Sequence, residues 1–321
     1  MERQHIGFRR FAIITVVSVY LLILAGGIVR TTGSGMGCPD WPKCFGKWIP
    51  PTSVTELPLN YHEIYSVHGY EAEFNPVKTW IEYINRLLGA LIGVFIFIAF
   101  VLSLRYKSDK KVSLLCGTAL VLVVLEGVVG KFVVSTNLKP LLISFHLWGS
   151  IFIILLLIYV TTRVNRGYFK SAIVLEGEQL RKITLLLIGL TVIQILLGTQ
   201  VRQQVDALSA NLGFERRAEW VQNLNYYFVI HRTFSLVVLA ANLYFILRLY
   251  KSGYAFLKIC SIIVLMLVAI EMLSGFIIGN FNIPAVMQPV HMLVATLLLG
   301  VQFFVLFVLD IIKKEKTLQI V

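Results

Sequence analysis

The sequence predicts an all-α integral membrane protein whose eight transmembrane helices form two parallel four-helix-bundle repeats. Of its 321 residues, 57% are hydrophobic and only 14% are charged. A soluble domain of this length needs more charge to cover its surface. The apolar residues are gathered into eight runs of about 20 residues, the length that crosses the hydrocarbon core of a bilayer. We therefore expect a protein that crosses the lipid bilayer several times and is surrounded by it.

The eight runs are separated by polar or basic segments, of which 31–79 is the longest. They occupy roughly residues 11–30, 80–104, 112–134, 141–162, 183–201, 224–248, 256–278 and 288–311. The first run is longer than the apolar part of a signal peptide and no small-residue cleavage site follows it, so we expect it to be retained. No Arg-rich transit peptide precedes it, which favours a bacterial plasma membrane over a mitochondrial one.

The net charge of +12 raises the question of nucleic-acid binding, which the distribution of charge argues against. Basic residues such as Arg105, Lys110 and Lys111 lie between apolar runs rather than on one face. Segments rich in lysine and arginine alternate with poorer ones, which places both termini in the cytoplasm. The loops at 31–79 and 202–223 then lie outside.

An internal repeat divides the chain into halves, residues 1–165 and 166–321. An even number of spans in each half gives both halves the same orientation, so the repeat is parallel. Four pairs of residues share a spacing of about 145 in this repeat: Asn85 with His231, Glu126 with Glu271, Gly130 with Gly275, and His146 with His291.

Three histidines, His146, His231 and His291, lie near the start of apolar runs. A lone histidine there is often satisfied by a neighbouring helix, but ionisable groups within a membrane are costly and usually functional. Haem iron accepts neutral imidazole from both faces, and facing helices of a bundle can supply it. We predict His231 with His291 as such a pair. Zinc is disfavoured because no cysteine or carboxylate nearby in sequence completes four ligands. Glu126 and Glu271 are interpreted as structural or proton-relay groups of the repeat.

Polar residues next to the ligand-type positions suggest how a haem would be held. Arg86 and Arg232 each follow such a position, where a planar guanidinium can pair with propionates or reach the membrane interface. Glu82 lies on the same helical face as Asn85 and Arg86. Glu82 can form an ion pair with Arg86 or act at the haem edge. The matching residue in the second half is Phe228, so Glu82 distinguishes the first half.

The loop motif Gly-Gly-Ile-Val-Arg-Thr-Thr-Gly-Ser-Gly-Met-Gly-Cys-Pro-Asp-Trp-Pro-Lys-Cys, residues 26–44, resembles the first outer loop of the haem A synthases, the CtaA/Cox15 family. The duplicated bundle, the three histidines and Glu82-Tyr83-Ile84-Asn85-Arg86 extend the resemblance over nearly the whole chain. It implies an oxidoreductase that converts the ring methyl of haem O into a formyl group, making haem A for cytochrome oxidase. Haem O synthase and a membrane electron donor or acceptor are the partners that it suggests.

The resemblance also implies which residues hold each haem. An ancillary haem b would lie in the C-terminal half, between His231 and His291. The N-terminal half would hold the substrate, with His146, Glu82 and a fourth histidine in the pattern Glu-x-x-His-Arg. This sequence has Asn85 at that position.

Asn85 leaves three hypotheses open for the N-terminal site. His146 alone could hold the substrate iron, with the other face open and Asn85 hydrogen-bonding a water or hydroxide there. His62 or His68 of the outer loop could fold in as the second ligand. Catalysis could also be lost, which would leave a non-catalytic haem carrier or electron-transfer protein. A secondary transporter also fits parallel repeats, but it predicts no haem and spans broken by glycine or proline.

The four cysteines fall into two classes. Cys116 and Cys260 lie in apolar runs, where we expect small packing residues. Cys38 and Cys44 lie in the outer loop on the oxidising side and could form a disulfide. A structural bridge is favoured over a reactive pair.

Overall fold

A computed structural model describes residues 6–67, 71–169, 173–213 and 216–320, with side chains up to Lys314. Eight long helices dominate the described residues, which contain no β-strand. Each helix is long and apolar enough to cross a membrane, so the predicted all-α class and eight spans are confirmed. The helices are α1 (Ile6–Thr31), α2 (Pro76–Leu104), α3 (Lys110–Ser135), α4 (Pro140–Val164), α5 (Gly177–Leu212), α6 (Tyr226–Tyr250), α7 (Ala255–Asn280) and α8 (Met287–Ile320).

Polar side chains cap several of these helices where they begin. Backbone N–H groups in the first turns of α2, α3 and α6 donate hydrogen bonds to the side chains of Asn75, Asp109 and Asn225, respectively. Pro76 occupies the first position of α2, where its missing N–H costs nothing. These caps satisfy donors that have no partner inside the helix, which matters most close to lipid.

Helix α5 is longer than the predicted span, which ended near residue 201. It continues to Leu212 because residues 202–212 contain no proline or glycine, and Gly213, with a φ of +71°, ends the helix. An ion pair of 3.0 Å joins Arg202 to Asp206 one turn later on the extension. The predicted loop 202–223 therefore begins as helix.

The chain divides into two compact units, Met1–Leu157 and Ile158–Val321. In the second unit, α5 packs against α6 and α8, and α7 also packs against α6 and α8. The four helices thus close a ring, with buried apolar side chains such as Leu187, Phe245, Leu257 and Val305 at its centre. Close packing supplies the stabilisation here, because lipid tails are as apolar as the side chains.

In the first unit, α2 packs against both α1 and α3. The loop between α1 and α2, residues 32–75, has a small core of its own. Its buried members are Cys38, Cys44, Phe45, Tyr61 and Ala72. We call this segment the cysteine loop.

Candidate functional site

His231 of α6 and His291 of α8 face each other inside the second unit. Their ring centres lie 6.4 Å apart and their planes cross at 80°. A metal–imidazole bond of about 2.0 Å on each side, with each ring centre about 1.2 Å behind its nitrogen, would separate the centres by roughly 6.4 Å. The separation of the two ring centres therefore matches that expected for two histidines that hold one haem iron.

His291 is held by the preceding helix, α7. Its Nδ1 lies 3.0 Å from Ser274 Oγ and 3.2 Å from Glu271 Oε1. A Cβ on Gly275 would stand 3.2 Å from His291 Cε1, so the ring packs directly on that glycine. With Nδ1 occupied by these partners, Nε2 is the nitrogen left for a metal, as in other metal-binding histidines.

His231 is held differently, by α5. A Cβ on Gly198 would stand 3.2 Å from its Cε1, and Gln194 Nε2 donates to its backbone oxygen at 3.1 Å. No side chain among the described residues pairs with the buried Nδ1 of His231. Each histidine thus packs against a glycine of the preceding helix. Of these two histidines, only His291 has side-chain partners at its Nδ1 among the described residues.

A buried amide pair shows that the same faces of α6 and α8 meet further along the bundle. Gln302 Nε2 donates to Asn242 Oδ1 at 3.3 Å, and both side chains are almost fully buried. Each lies eleven residues after its histidine, which is about three helical turns. The amide pair therefore supports the register that brings His231 opposite His291.

In the first unit, His146 of α4 lies against α3 in a closely related arrangement. Its Nδ1 is 2.5 Å from Glu126 Oε2, although neither atom has a partner in hydrogen-bond geometry among the described residues. A Cβ on Gly130 would stand 3.7 Å from His146 Cε1. Glu126 and Glu271 thus each contact a histidine of the next helix. Their matching positions in the repeat were the available signal.

Glu82 and Arg86 form an ion pair on α2 that also fastens the cysteine loop. Arg86 Nε and Nη2 donate to Glu82, Nη2 also donates to the backbone oxygen of Cys38, and Nη1 donates to those of Asp40 and Lys43. All five N–H donors of the guanidinium are therefore engaged. Glu82 Oε2 accepts from Cys38 N at 2.8 Å. In this arrangement Arg86 has no donor left for a propionate.

Arg232, at the matching position on α6, is in the opposite situation. Its guanidinium lies 5.7 Å from the centre of the Phe228 ring, a cation–π contact at the same one-turn spacing as the Glu82–Arg86 pair. The side chain of Arg232 is exposed. It remains available to an anionic group near His231.

Cys38 and Cys44 form a disulfide, as predicted, and both residues are fully buried. Gly37 lies so close to α2 that a Cβ there would collide with the backbone of Lys78. Thr79 Oγ1 donates to Gly37 O at 2.8 Å. Burial of both sulfur atoms supports a structural bridge, since thiol exchange requires access. Cys116 and Cys260 are free and buried.

The structure constrains the hypotheses about Asn85. Its Oδ1 is buried without a hydrogen-bond partner among the described residues, so it can accept from a small polar ligand. His62 Nδ1 lies 2.8 Å from Ala72 O, which ties the ring to the cysteine loop. His68 lies outside the described residues.

Protein side chains alone do not assemble a metal centre in the described part of the chain. No group of three or more histidine, cysteine, aspartate or glutamate residues is placed to hold an ion. A haem needs at most two protein ligands, because the porphyrin supplies the rest. The histidine pair fits that requirement.

Comparison with known proteins gives a consistent result. Residues 9–303 match the model of the COX15-CtaA family, described as cytochrome oxidase assembly proteins. A protein of Shewanella oneidensis named heme A synthase is 31% identical over 215 residues, which cover 66% of this chain and 62% of the relative. Heme A synthases of Nitrosomonas eutropha and Ehrlichia canis are 30% and 25% identical over 42% and 93% of this chain, and over 40% and 92% of their own length. The first two matches thus span less than two thirds of those relatives.

Proposed function

Because this chain belongs to the COX15-CtaA family of cytochrome oxidase assembly proteins, we propose that it is a membrane haem A synthase. The reaction is oxidation of the ring methyl of haem O to a formyl group, with haem A for cytochrome oxidase as the product. The observation that carries the proposal is the His231–His291 pair, whose ring centres are 6.4 Å apart on facing helices. The match to heme A synthases along most of the chain supports the same activity.

In the second unit, this proposal assigns a resident haem b to the histidine pair. When bound, haem b supplies one-electron transfer. His231 and His291 would hold the iron, and Glu271 with Ser274 would orient His291 through its Nδ1. Arg232, which is exposed and directly follows His231 in the sequence, would pair with a propionate.

In the first unit, His146 would hold the iron of the substrate haem O. Glu126, 2.5 Å from His146 Nδ1, would orient the ring and select Nε2 as the ligand. We propose that Asn85 serves the opposite face, where its unpaired amide oxygen accepts a hydrogen bond from a water or hydroxide. Asparagine is not itself a haem-iron ligand of choice.

Glu82 remains our candidate for moving a proton at the haem edge. One of its oxygens pairs with Arg86 and the other accepts from Cys38 N, so proton transfer would require one of these contacts to open. The substrate and an electron acceptor must both reach the protein within the membrane. Haem O synthase and a membrane electron carrier are the partners that we propose.

The haem content of the purified protein, by visible spectroscopy and chromatography of extracted haem, tests this function. We expect low-spin haem b that His231→Ala removes, together with haem O or haem A that His146→Ala removes. Haem b alone, even with haem O supplied, would favour an electron-transfer protein, the alternative that Asn85 supports. A protein without haem would overturn the proposal and favour a transporter, although each of the eight described helices is continuous.

A further inference from the structure

Each of the three histidines packs against a glycine of the preceding helix, and the residue four positions before that glycine is polar. This spacing places the polar residue one turn along the same helix face, beside the imidazole. The sets, each in the order polar residue, glycine and histidine, are Glu126, Gly130 and His146; Gln194, Gly198 and His231; and Glu271, Gly275 and His291.

In two of the three sets the polar residue contacts the imidazole. Glu126 lies beside His146 Nδ1, and Glu271 lies beside His291 Nδ1. The third set has Gln194, whose amide nitrogen already contacts His231 through the backbone oxygen, at 3.1 Å. Its position thus corresponds to that of the two glutamates.

Two buried polar atoms lie unpaired at this contact. Gln194 Oε1 and His231 Nδ1 both have no hydrogen-bond partner among the described residues. One is an acceptor and the other becomes a donor when its proton is on Nδ1. An unpaired buried polar group typically costs about 1–3 kcal/mol, and a hydrogen bond between these two would remove both deficits.

We propose that Gln194 is a positioning residue for His231: with haem bound, the two side chains would reorient so that His231 Nδ1–H donates to Gln194 Oε1, which leaves Nε2 for the iron. This inference rests on the proposed haem b in the second unit. It makes the two axial ligands unequal: His231 has a neutral amide behind it, whereas His291 has a carboxylate and a hydroxyl. A partner of this kind on Nδ1 raises the donor strength of the ligating nitrogen.

The first unit lacks this arrangement at both positions. Asn85 replaces the histidine. On α1 the residue matching Gln194 is Leu22 or Ile23, according to whether Gly26 or Gly27 is aligned with Gly198. Gln194 and His231 are therefore present together in one unit and absent together from the other, as expected if they act as a pair.

The midpoint potential of the low-spin haem in the purified full-length protein tests this proposal. Gln194→Leu removes the acceptor, so we expect the potential to become more positive. Gln194→Glu supplies a stronger acceptor, as at His291, so we expect a more negative potential. A tenfold change in the relative affinity for ferric and ferrous iron corresponds to about 59 mV for one electron, and we expect at least that spread between the variants.

Thr191→Val is the matched control, because Thr191 is also on α5, is buried and has a hydroxyl with no partner among the described residues. It should leave the potential unchanged. Shifts of the two Gln194 variants in the same direction, or no shift, would overturn the inference. If Gln194→Leu does not accumulate, Gln194→Glu is tested alone. A positive shift of its midpoint potential, or no shift, would also overturn the inference. A wild-type protein without haem would instead overturn the proposed function, and this inference with it.

Discussion

A methyl group added at Gly275 should weaken haem binding in the second unit. In Gly275→Ala the new Cβ would stand 3.2 Å from His291 Cε1, which is closer than ordinary van der Waals contact. The ring cannot simply withdraw, because Ser274 and Glu271 hold its Nδ1. Either the ring or α7 must move by a few tenths of an ångström, and a ring that moves no longer matches the spacing to His231.

The magnitude follows from the cost of overpacking, which is typically about 1–3 kcal/mol. If the haem-bound state bears that cost, haem binding weakens by roughly 5- to 150-fold. The gain in helix propensity from glycine to alanine, about 1 kcal/mol, stabilises α7 with or without haem and so does not restore binding. The haem-to-polypeptide ratio and the rate of haem transfer to a scavenging protein measure the effect.

Two further variants make the test specific. Gly279→Ala lies on α7 one turn later, and its Cβ would meet Phe228 at an ordinary 3.6 Å. Gly130→Ala in the first unit would place Cβ at 3.7 Å from His146, so both should keep their haem. Equal haem retention in Gly275→Ala and Gly279→Ala would refute the argument that the glycine is required by the ligand.

Three other predictions concern the first unit. Arg86→Lys removes most of the hydrogen bonds that fasten the cysteine loop, and a hydrogen bond from a charged group is worth about 1.5–3 kcal/mol. Dithiothreitol should therefore reduce the Cys38–Cys44 disulfide at least about tenfold faster in the variant. An unchanged rate would contradict the fastening role. Asn85→His should convert substrate haem from high spin to low spin, and an unchanged optical spectrum would exclude an open iron face. Hydrogen bonds from Thr52 and Lys47 lower the pKa of Glu56 to about 2, below its ordinary 4.5, so their stabilisation is complete above pH 4.5 and disappears toward pH 2. The backbone N–H groups of Thr52 and Ser53, which donate to Glu56 Oε1, should therefore have lower hydrogen-exchange protection factors at pH 2 than at pH 4.5, and equal protection factors at both would exclude this role.

The number and type of helices were predictable from the sequence, because that information is local. Each span must satisfy its own backbone hydrogen bonds in lipid, so a sufficiently long apolar run specifies a helix without reference to its neighbours. The end of α5 was less predictable. Residues 202–212 are polar enough to be interpreted as a loop, yet none of them is glycine or proline and the helix continues to Leu212.

The histidines were identifiable from the sequence because a repeat compares the chain with itself. A polar residue recurring at matching positions in two apolar runs is a signal that a single histidine lacks. The same comparison marked Glu126 and Glu271, but it could not show that each contacts the histidine of the following helix. That contact depends on how two helices are rotated against each other, which hydropathy does not encode.

Only the tertiary structure decided what Glu82 and Arg86 contact. Their spacing on α2 predicted an ion pair, and the pair is present. The backbone oxygens that take the remaining donors of Arg86 belong to Cys38, Asp40 and Lys43, more than forty residues earlier in the chain. Local sequence specifies which groups are near one another on a helix, whereas contacts at this separation exist only after the cysteine loop has folded against it.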